Sequence, residues 1–333
     1  MKNAKPKKLK TKDFDLAQTL ECGQCFNFEK IGSEEYIVSA KGRMLHVRQE
    51  GNELLFLNAS EDDINKIWIP YFDLERDYAN IKNEIVKADP RLEPIIEANS
   101  GIRILNQDFT ETLISFIISQ NKNIPHIKQI VRNISERHGE IAGKVQLDVC
   151  DIARGDESKT YENPCKKTDN QGFGLNVNID INSCGMELKK AIENGEIERI
   201  YYKFPEIPAL AKFTEEDFKE LKTGFRAPYL CDAISKMADG SINEDELKSM
   251  NFAAAKERLM TIKGVGDKVA NCVLLFGLGF RNAFPVDVWI KRIMEEMYFG
   301  KPTDKKVIEQ FAAEKFGEYG GYAQQYLFIY AKQ

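Results

Sequence analysis

Along this chain the hydrophobic period changes from two to 3.6, and any fold must house both halves. Residues 26–58 read as short strands. Phe26–Phe28, Glu35–Ala40, Arg43–Gln49 and Glu53–Asn58 are β-branched or aromatic and partly alternating, with Gly32-Ser33, Lys41-Gly42 and Gly51-Asn52 between them. That pattern predicts an antiparallel meander. A helix is expected before it at Asp15–Leu20, and helices follow from Glu61. From about Asn106 the helical period dominates: Asp108 stands as N-cap of FTETLISFIISQN, with Leu113, Phe116 and Ile117 on one face. Further helices are expected at Pro125–Gly139, Thr214–Thr223, Arg226–Met237, Ala253–Ile262, Asp267–Leu278, Val288–Phe299 and Tyr322–Ala331. The expected fold class is therefore α+β, with an N-terminal antiparallel sheet domain over residues 1–105 packed on a mostly helical domain over 106–333. The 333 residues leave room for two such domains, and the lack of a 20–50-residue repeat excludes a solenoid.

One stretch, from about 142 to 197, fits neither half. It is polar, lacks helical periodicity and holds three of the seven cysteines, Cys150, Cys165 and Cys184. It reads as a surface insertion ending in a short helix at 185–194. Its wide cysteine spacing and the absence of a nearby histidine pair disfavour a zinc knuckle.

Charge and cysteine usage bound the function. No apolar run approaches 18 residues, so no membrane span is expected. The odd cysteine count suits free thiols in a reducing compartment. The first twelve residues carry six lysines without an apolar stretch, so they read as a solvated basic arm and not as a secretory signal. The expectation is a cytoplasmic protein of prokaryotic origin. Net charge is −5, so any contact with nucleic acid needs a local positive patch.

The strongest local signal is Leu259-MTIKGVGDKVANCVLLFGLG. A helix ends near Lys263, Gly264-Val265-Gly266 makes a tight hairpin, and a second helix opens at Asp267. Two glycines offer positive φ and close backbone approach, and amides at the new helix start can face an anion. Such a helix-hairpin-helix grips a DNA phosphate without reading sequence. From Lys256 to Arg292 seven basic residues stand against three acidic ones, a local charge of +4. Just downstream, Phe284-Pro-Val-Asp-Val-Trp289 breaks the chain and places Asp287 where it can cap the next helix. A lysine opening one helix and an aspartate opening the next can face one cleft. A neutral lysine amine is a nucleophile toward a sugar C1′, and a carboxylate stabilises positive charge developing on that sugar. Lys268 with Asp287 therefore fits cleavage of an N-glycosidic bond.

Here the residues reach a family. GVGDKVANC with FPVDVW resembles the helix-hairpin-helix DNA glycosylases, and Lys268 resembles the nucleophile of the bifunctional 8-oxoguanine DNA glycosylase/AP lyases. Cys22-Gly-Gln-Cys-Phe, SFIISQNKNI (115–124), TGFRAPYL (223–230) and GYAQQYLF (321–328) resemble segments of the same family, in the same order. The resemblance spans nearly the whole chain outside the insertion. It implies Lys268 and Asp287 as the catalytic pair, and excision of 8-oxoguanine followed by β-elimination through a Schiff base. It implies that the Gly23 carbonyl reads the N7–H of 8-oxoguanine, that Gln324 bonds the Watson–Crick edge, and that Cys272 and Phe328 sandwich the ring. Lys268 with Cys272, and Gln324 with Phe328, are each i, i+4 and share a helix face.

The resemblance further implies DNA contacts at the hairpin (Gly264, Val265, Gly266) and at Asn121, Phe225 and Arg226, which fill the gap, wedge the duplex and meet the orphan base. Phe225 departs from the tyrosine often found at the wedge. His126 stands where eukaryotic members place an arginine against the orphan cytosine, which implies relaxed opposite-base preference. Trp289 stands where a histidine is usual and is expected at the DNA side. No four-cysteine cluster follows the hairpin, which sets aside the iron–sulfur relatives, and His46, His126 and His138 lie apart. The implied partner is duplex DNA containing 8-oxoguanine, bound by a monomer without metal, organic cofactor, membrane or obligatory protein partner. A glycosylase for another damaged base and a non-catalytic DNA-binding protein remain the alternatives.

Overall fold

A computed structural model describes residues 6–148 and 196–332. Five strands form one antiparallel sheet: β1 (Lys7–Lys10), β2 (Phe28–Gly32), β3 (Glu35–Ala40), β4 (Arg43–Glu50) and β5 (Glu53–Phe56), in the order β1-β5-β4-β3-β2. A short helix, α1 (Leu16–Glu21), links β1 to the meander. After β5, a composite helical stretch over 61–71 leads to α2 (Tyr78–Ala88), α3 (Glu93–Ala98), α4 (Phe109–Ile118) and α5 (Ile124–His138). A two-stranded ribbon of β6 (Ile141–Asp148) and β7 (Glu196–Tyr202) follows. The remainder is helical: α6 (Glu215–Glu220), α7 (Ala227–Ala238), α8 (Glu244–Ser249), α9 (Phe252–Met260), α10 (Asp267–Phe276), α11 (Val288–Met294), α12 (Lys305–Phe316) and α13 (Gly320–Tyr330). Among the described residues no helix is long and apolar enough to cross a membrane.

The alternation of β3 explains the layering. Tyr36 and Val38 point into a core with Leu16, Leu45, Leu54, Trp68 and Phe72. Ile37 points the other way and meets Ile31 and Val145 beneath the ribbon. Both faces of β3 are thus covered. Gly143 lets the ribbon lie down, because a Cβ there would stand 2.7 Å from Met44 Cε. The ribbon is tied at its edge by Arg199 and Tyr201, which reach Glu29 of β2 at 2.5 and 3.0 Å. The second core runs through the helices and includes Tyr78, Ile81 and Ile85 of α2, although α2 precedes residue 106.

Several local expectations are corrected. The lysine arm is not all solvated tail: Lys7–Lys10 is the edge strand, with Leu9 opposite Leu54. Its lysines remain useful there, since charge on an edge discourages further pairing, and Lys8 reaches Glu53 at 3.2 Å. The first meander strand begins at Phe28, because Phe26 turns into the helical core, edge-on to Phe116 at 5.6 Å. Asp108 occupies the cap position of α4, but its side chain makes no bond to that helix. It accepts from the Lys41 amide at 2.7 Å instead and so joins the sheet to α4. The helix expected over 288–299 is a seven-residue α-helix followed by a wider π-turn at Glu295–Phe299. The insertion begins and ends in strand, so its polar sequence at 142–148 and 196–197 belongs to the ribbon. The helix expected at 185–194, with Cys150, Cys165 and Cys184, lies outside the described residues.

The two halves meet at a buried amide. Gln24 is fully buried, and its Nε2 donates to the carbonyls of Thr19 and Arg103 at 2.8 and 2.7 Å. Its Oε1 accepts from Leu105 N at 2.9 Å, and its own carbonyl accepts from Gln107 Nε2 at 2.7 Å. Arg103 in turn donates to the carbonyls of Lys12, Asp13, Asp73 and Arg76. Gln24→Ala leaves buried backbone groups unpaired and should cost about 2–4 kcal/mol, read as a lowered urea midpoint. A midpoint unchanged from wild type would mean that the loop is held by other contacts.

Candidate active site

The Gln24 bonds press the loop Cys22–Cys25 against the 101–107 connection. Gly23 lies at the crest of this loop with φ +88, a conformation that disfavours a side chain. A Cβ there would also stand 3.4 Å from both Ile124 Cδ1 and Phe328 Cε1. The loop is held from the other side by α13, whose Gln325 donates Nε2 to the Cys22 carbonyl at 3.3 Å.

Between this loop, the C-terminal end of α4, the start of α5, α10 and α13 opens a cavity of about 450 Å³, within the usual span of small-molecule sites. Seven of the expected residues line it: Gly23, Lys268, Cys272, Asp287, Trp289, Gln324 and Phe328. Lys268 is on the first turn of α10. Its amine is 3.3 Å from Ser119 Oγ and 5.1 Å from the centre of the Phe116 ring. Asp287 caps α11 through Oδ1, which accepts from Ile290 N at 2.8 Å. Capping holds the carboxylate in one orientation and leaves Oδ2 for the cavity. Cys272 lies one turn below Lys268. Burial pushes its thiol up to about 11, against the pull of the Lys268 charge, so near neutral pH it is an uncharged, polarisable wall.

Gln324 is buried, and its Oε1 has no hydrogen-bond partner among the described residues, while Nε2 makes only a 3.4 Å contact with the Pro285 carbonyl. An unpartnered buried carbonyl costs about 1–3 kcal/mol, and a donor on an incoming ligand would relieve that cost. Gln325, its neighbour, is committed to the loop. The geometry therefore separates the two amides that stand side by side in the sequence.

Among the cavity residues that sequence reasoning did not assign to the site are Phe116, Ser119, Lys122 and Lys332. Phe116 and Ser119 sit in SFIISQNKNI, and their helical offset from one another was the available signal. Lys332 follows Phe328 by four residues, the same spacing that linked the other pairs. The cavity thus carries Lys122, Lys268 and Lys332 against the single carboxylate of Asp287, a local positive field within an acidic chain.

The remaining expected residues surround the mouth rather than line it. Asn121 lies in the turn between α4 and α5 with φ +50, exposed beside Lys122. His126 is on the first turn of α5, where its amide is capped by Asn123 Oδ1 at 3.0 Å. Phe225 is 55 % exposed, although Tyr229 packs edge-on to its ring at 6.1 Å. Arg226 is buried, its guanidinium stacked 4.2 Å from the Phe225 ring centre and bonded to the Thr223 carbonyl at 3.0 Å. In this conformation it supports the Phe225 ring and is not presented to solvent. Trp289 is 41 % exposed.

The hairpin between α9 and α10 differs in detail from expectation. α9 ends at Met260, three residues before Lys263. Only Gly264 has positive φ, at +77, while Gly266 is extended at φ −103. A Cβ on Gly264 would fall 2.2 Å from Tyr229 Cδ2, whereas one on Gly266 would meet nothing within 4 Å. Gly266 therefore leaves open space in front of the first amides of α10. The charge count is also reduced: Lys256 is bound by Asp267 and Glu309 at 2.9 and 2.7 Å, and Arg258 by Glu246 at 3.4 Å. Lys291 is paired with Glu295. The Lys256 pair with Asp267 ties α9 to α10, and Lys263, Lys268, Arg281 and Arg292 have no ion pair among the described residues.

Comparisons with known proteins agree with this geometry. Residues 8–113 match the family described as 8-oxoguanine DNA glycosylase, N-terminal domain. The crystal structure of the Clostridium acetobutylicum 8-oxoguanine glycosylase/lyase, in complex with double-stranded DNA containing cytosine opposite 8-oxoguanine, superposes with a TM-score of 0.78. It is 34% identical, over 100% of this chain and 99% of that one. The N-glycosylase/DNA lyase OGG1 of Arabidopsis thaliana is 26% identical, over 97% of this chain and 79% of its own length. A probable N-glycosylase/DNA lyase of Methanothermobacter thermautotrophicus is 25% identical, over 96% and 94%.

Gly264→Ala combines a strained φ with a backbone-adjacent clash and should cost at least about 2 kcal/mol or displace the hairpin. Gly266→Ala should leave stability within about 0.5 kcal/mol while weakening binding to undamaged duplex. Thermal unfolding and fluorescence anisotropy check the pair; equal losses of stability in both would contradict the assignment of distinct roles.

Proposed function

The chain belongs to the helix-hairpin-helix 8-oxoguanine DNA glycosylase/AP lyase family, and we propose that it excises 8-oxoguanine from duplex DNA through the amine of Lys268. The observation that carries this reading is the meeting of Lys268, Asp287, Gly23 and the unpartnered Gln324 Oε1 in one cavity of base size. The lesion is extruded from the duplex, with Asn121 and Phe225 occupying the gap. The Gly23 carbonyl accepts the N7–H that 8-oxoguanine has and guanine lacks. Guanine would place its N7 lone pair against that carbonyl, and an unrelieved polar clash of this kind rejects by several kcal/mol. Gln324 Oε1 accepts from the base edge, and Cys272 and Phe328 hold its faces.

A lysine amine is protonated in free solution, with a pKa of ~10.4, and attacks only when neutral. The neutral Lys268 nitrogen adds to C1′ as the bond to N9 breaks. The fixed carboxylate of Asp287 stabilises the positive charge that builds on the sugar. Loss of the ring oxygen gives the Schiff base, and removal of a C2′ proton expels the 3′ phosphate by β-elimination. Every group in this sequence comes from one chain, which supports a monomeric enzyme. A pure binding module has no use for the Lys268–Asp287 pair. A glycosylase for a base lacking the N7–H has no use for a carbonyl at Gly23.

Borohydride reduction in the presence of duplex carrying one 8-oxoguanine should yield a covalent protein–DNA band. Lys268→Gln should lose that band by at least about 1,000-fold while retaining DNA binding. A band that survives the substitution would remove Lys268 from the reaction. The opposite-base reading is separately testable. His126 lacks the fork of donors that an arginine offers a cytosine, so single-turnover excision opposite C, A, G and T should agree within roughly tenfold. A hundredfold preference for cytosine would contradict it.

A further inference from the structure

Three lysines enter the cavity, and the chemistry above uses one. Lys122 is committed elsewhere, its Nζ donating to the Lys222 carbonyl at 3.0 Å in the turn before Phe225. Lys332 is not. It lies just beyond the end of α13 and borders the cavity beside Gly23 and Phe328. Its Nζ stands 4.7 Å from the Phe328 ring centre, and 3.9 Å from where a Cβ on Gly23 would be. Among the described residues its amine has no hydrogen-bond acceptor and no salt-bridge partner within 4 Å. A cation is thus poised, unbonded, next to the two groups placed against the base.

We propose that Lys332 contacts the extruded base and stabilises the negative charge that it acquires as it leaves. The inference rests on the glycosylase reading and adds to it a role for the leaving group. As C1′–N9 breaks, its electron pair goes to the base. The neutral Lys268 amine supplies the pair that forms the new C1′–N bond and carries the resulting positive charge. Transfer of one proton from that nitrogen to the base, directly or through water, restores neutrality on both sides. Until then the base is an anion, spread over its ring nitrogens and oxygens. Asp287 answers the charge on the sugar, but the carbonyls of Gly23 and Gln324 offer nothing to an anion. Lys332 supplies the missing donor, and the stem is long enough for its ammonium to follow the charge.

The groups facing its amine are Asp287 and the Cys22 thiol, with Glu21 at the outer side and Lys268 and Lys122 across the cavity. Burial lowers the Lys332 amine from its ordinary value, while Asp287 and Cys22 act in the opposite direction. The amine is cationic below its own pKa and loses its charge above it. Excision should therefore decline on the alkaline side as Lys332 deprotonates. An arginine in its place stays charged throughout.

The test compares two duplexes under single-turnover conditions with the full-length protein, one carrying 8-oxoguanine and one a preformed abasic site. Lys332→Met should slow base release roughly 10- to 100-fold, the scale of removing one transition-state donor. It should leave cleavage at the abasic site unchanged, because no base departs there. Lys332→Arg should retain most base release and lose the alkaline decline. Base release at the wild-type rate in Lys332→Met overturns the proposal. A parallel loss on both duplexes also overturns it, since it would mean that Lys332 acts through folding or DNA binding. Wild-type protein that cleaves the abasic duplex yet releases no 8-oxoguanine would sink the substrate reading itself, and with it this inference.

Discussion

The side chain of Gln24 is the joint on which the site depends. Its amide bonds the end of α1, the 101–107 connection and, through Arg103, the segments around Lys12 and Asp73. Four hydrogen-bonded segments are thereby fixed relative to one loop of four residues. That loop carries Gly23 at its crest. A carbonyl that reads a single proton must be held within a fraction of an ångström, and a solvated loop could not do so. Burial of the glutamine makes each of its bonds costly to break. The loop's accuracy is thus inherited from the interface between the sheet and the helices, far more than from its own local sequence.

The second constraint is electrostatic. A chain of net charge −5 must approach a polyanion. Lys268 and Lys332 bring unpaired cations into the cavity, while others, such as Lys256, are held in ion pairs. Lys256, held by Asp267 and Glu309, fastens α9, α10 and α12, and Asn271 adds a bond to the same Glu309 at 3.2 Å. These pairs contribute rigidity where the hairpin must present its amides. Lys268 grows from the same helix, so in the proposed reaction one helix both meets a phosphate and carries the nucleophile.

Much of this was legible in the sequence. The chemistry-bearing pairs announce themselves by i, i+4 spacing on amphipathic helices, and the structure brings Lys268, Cys272, Gln324 and Phe328 to one cavity as that spacing requires. The meander itself was readable because β-branched runs alternate between turns. What escaped depends on tertiary partners. Lys7–Lys10 looks like a tail because its pairing partner is β5, more than 40 residues away. Phe26 looks like a strand residue, and only the presence of Phe116 draws it into the helical core. Asp108 has the right residue type for a cap, but Lys41 competes for it across the sheet. Charge counting along the hairpin is incomplete for the same reason, since Glu309, Glu246 and Glu295, all outside the counted segment, pair with Lys256, Arg258 and Lys291.

The division of labour among the cavity's charged groups follows from where each is anchored. Asp287 is fixed by capping a short helix, which suits a group that must answer charge without moving. Lys268 rises from the first turn of α10, against the Phe116 face and the Ser119 hydroxyl, which limits its sweep to the sugar side. Lys332 stands past the last turn of α13, free at its amine and mobile along four methylenes, on the side of Gly23 and Phe328. A glycosidic bond separates into two charges of opposite sign, and the cavity offers a fixed anion on one side and a flexible cation on the other. In the proposed reaction the unpaired Gln324 Oε1 adds directionality: a donor edge of the base turns toward it, which leaves the leaving-group charge of the base to the flexible Lys332 ammonium.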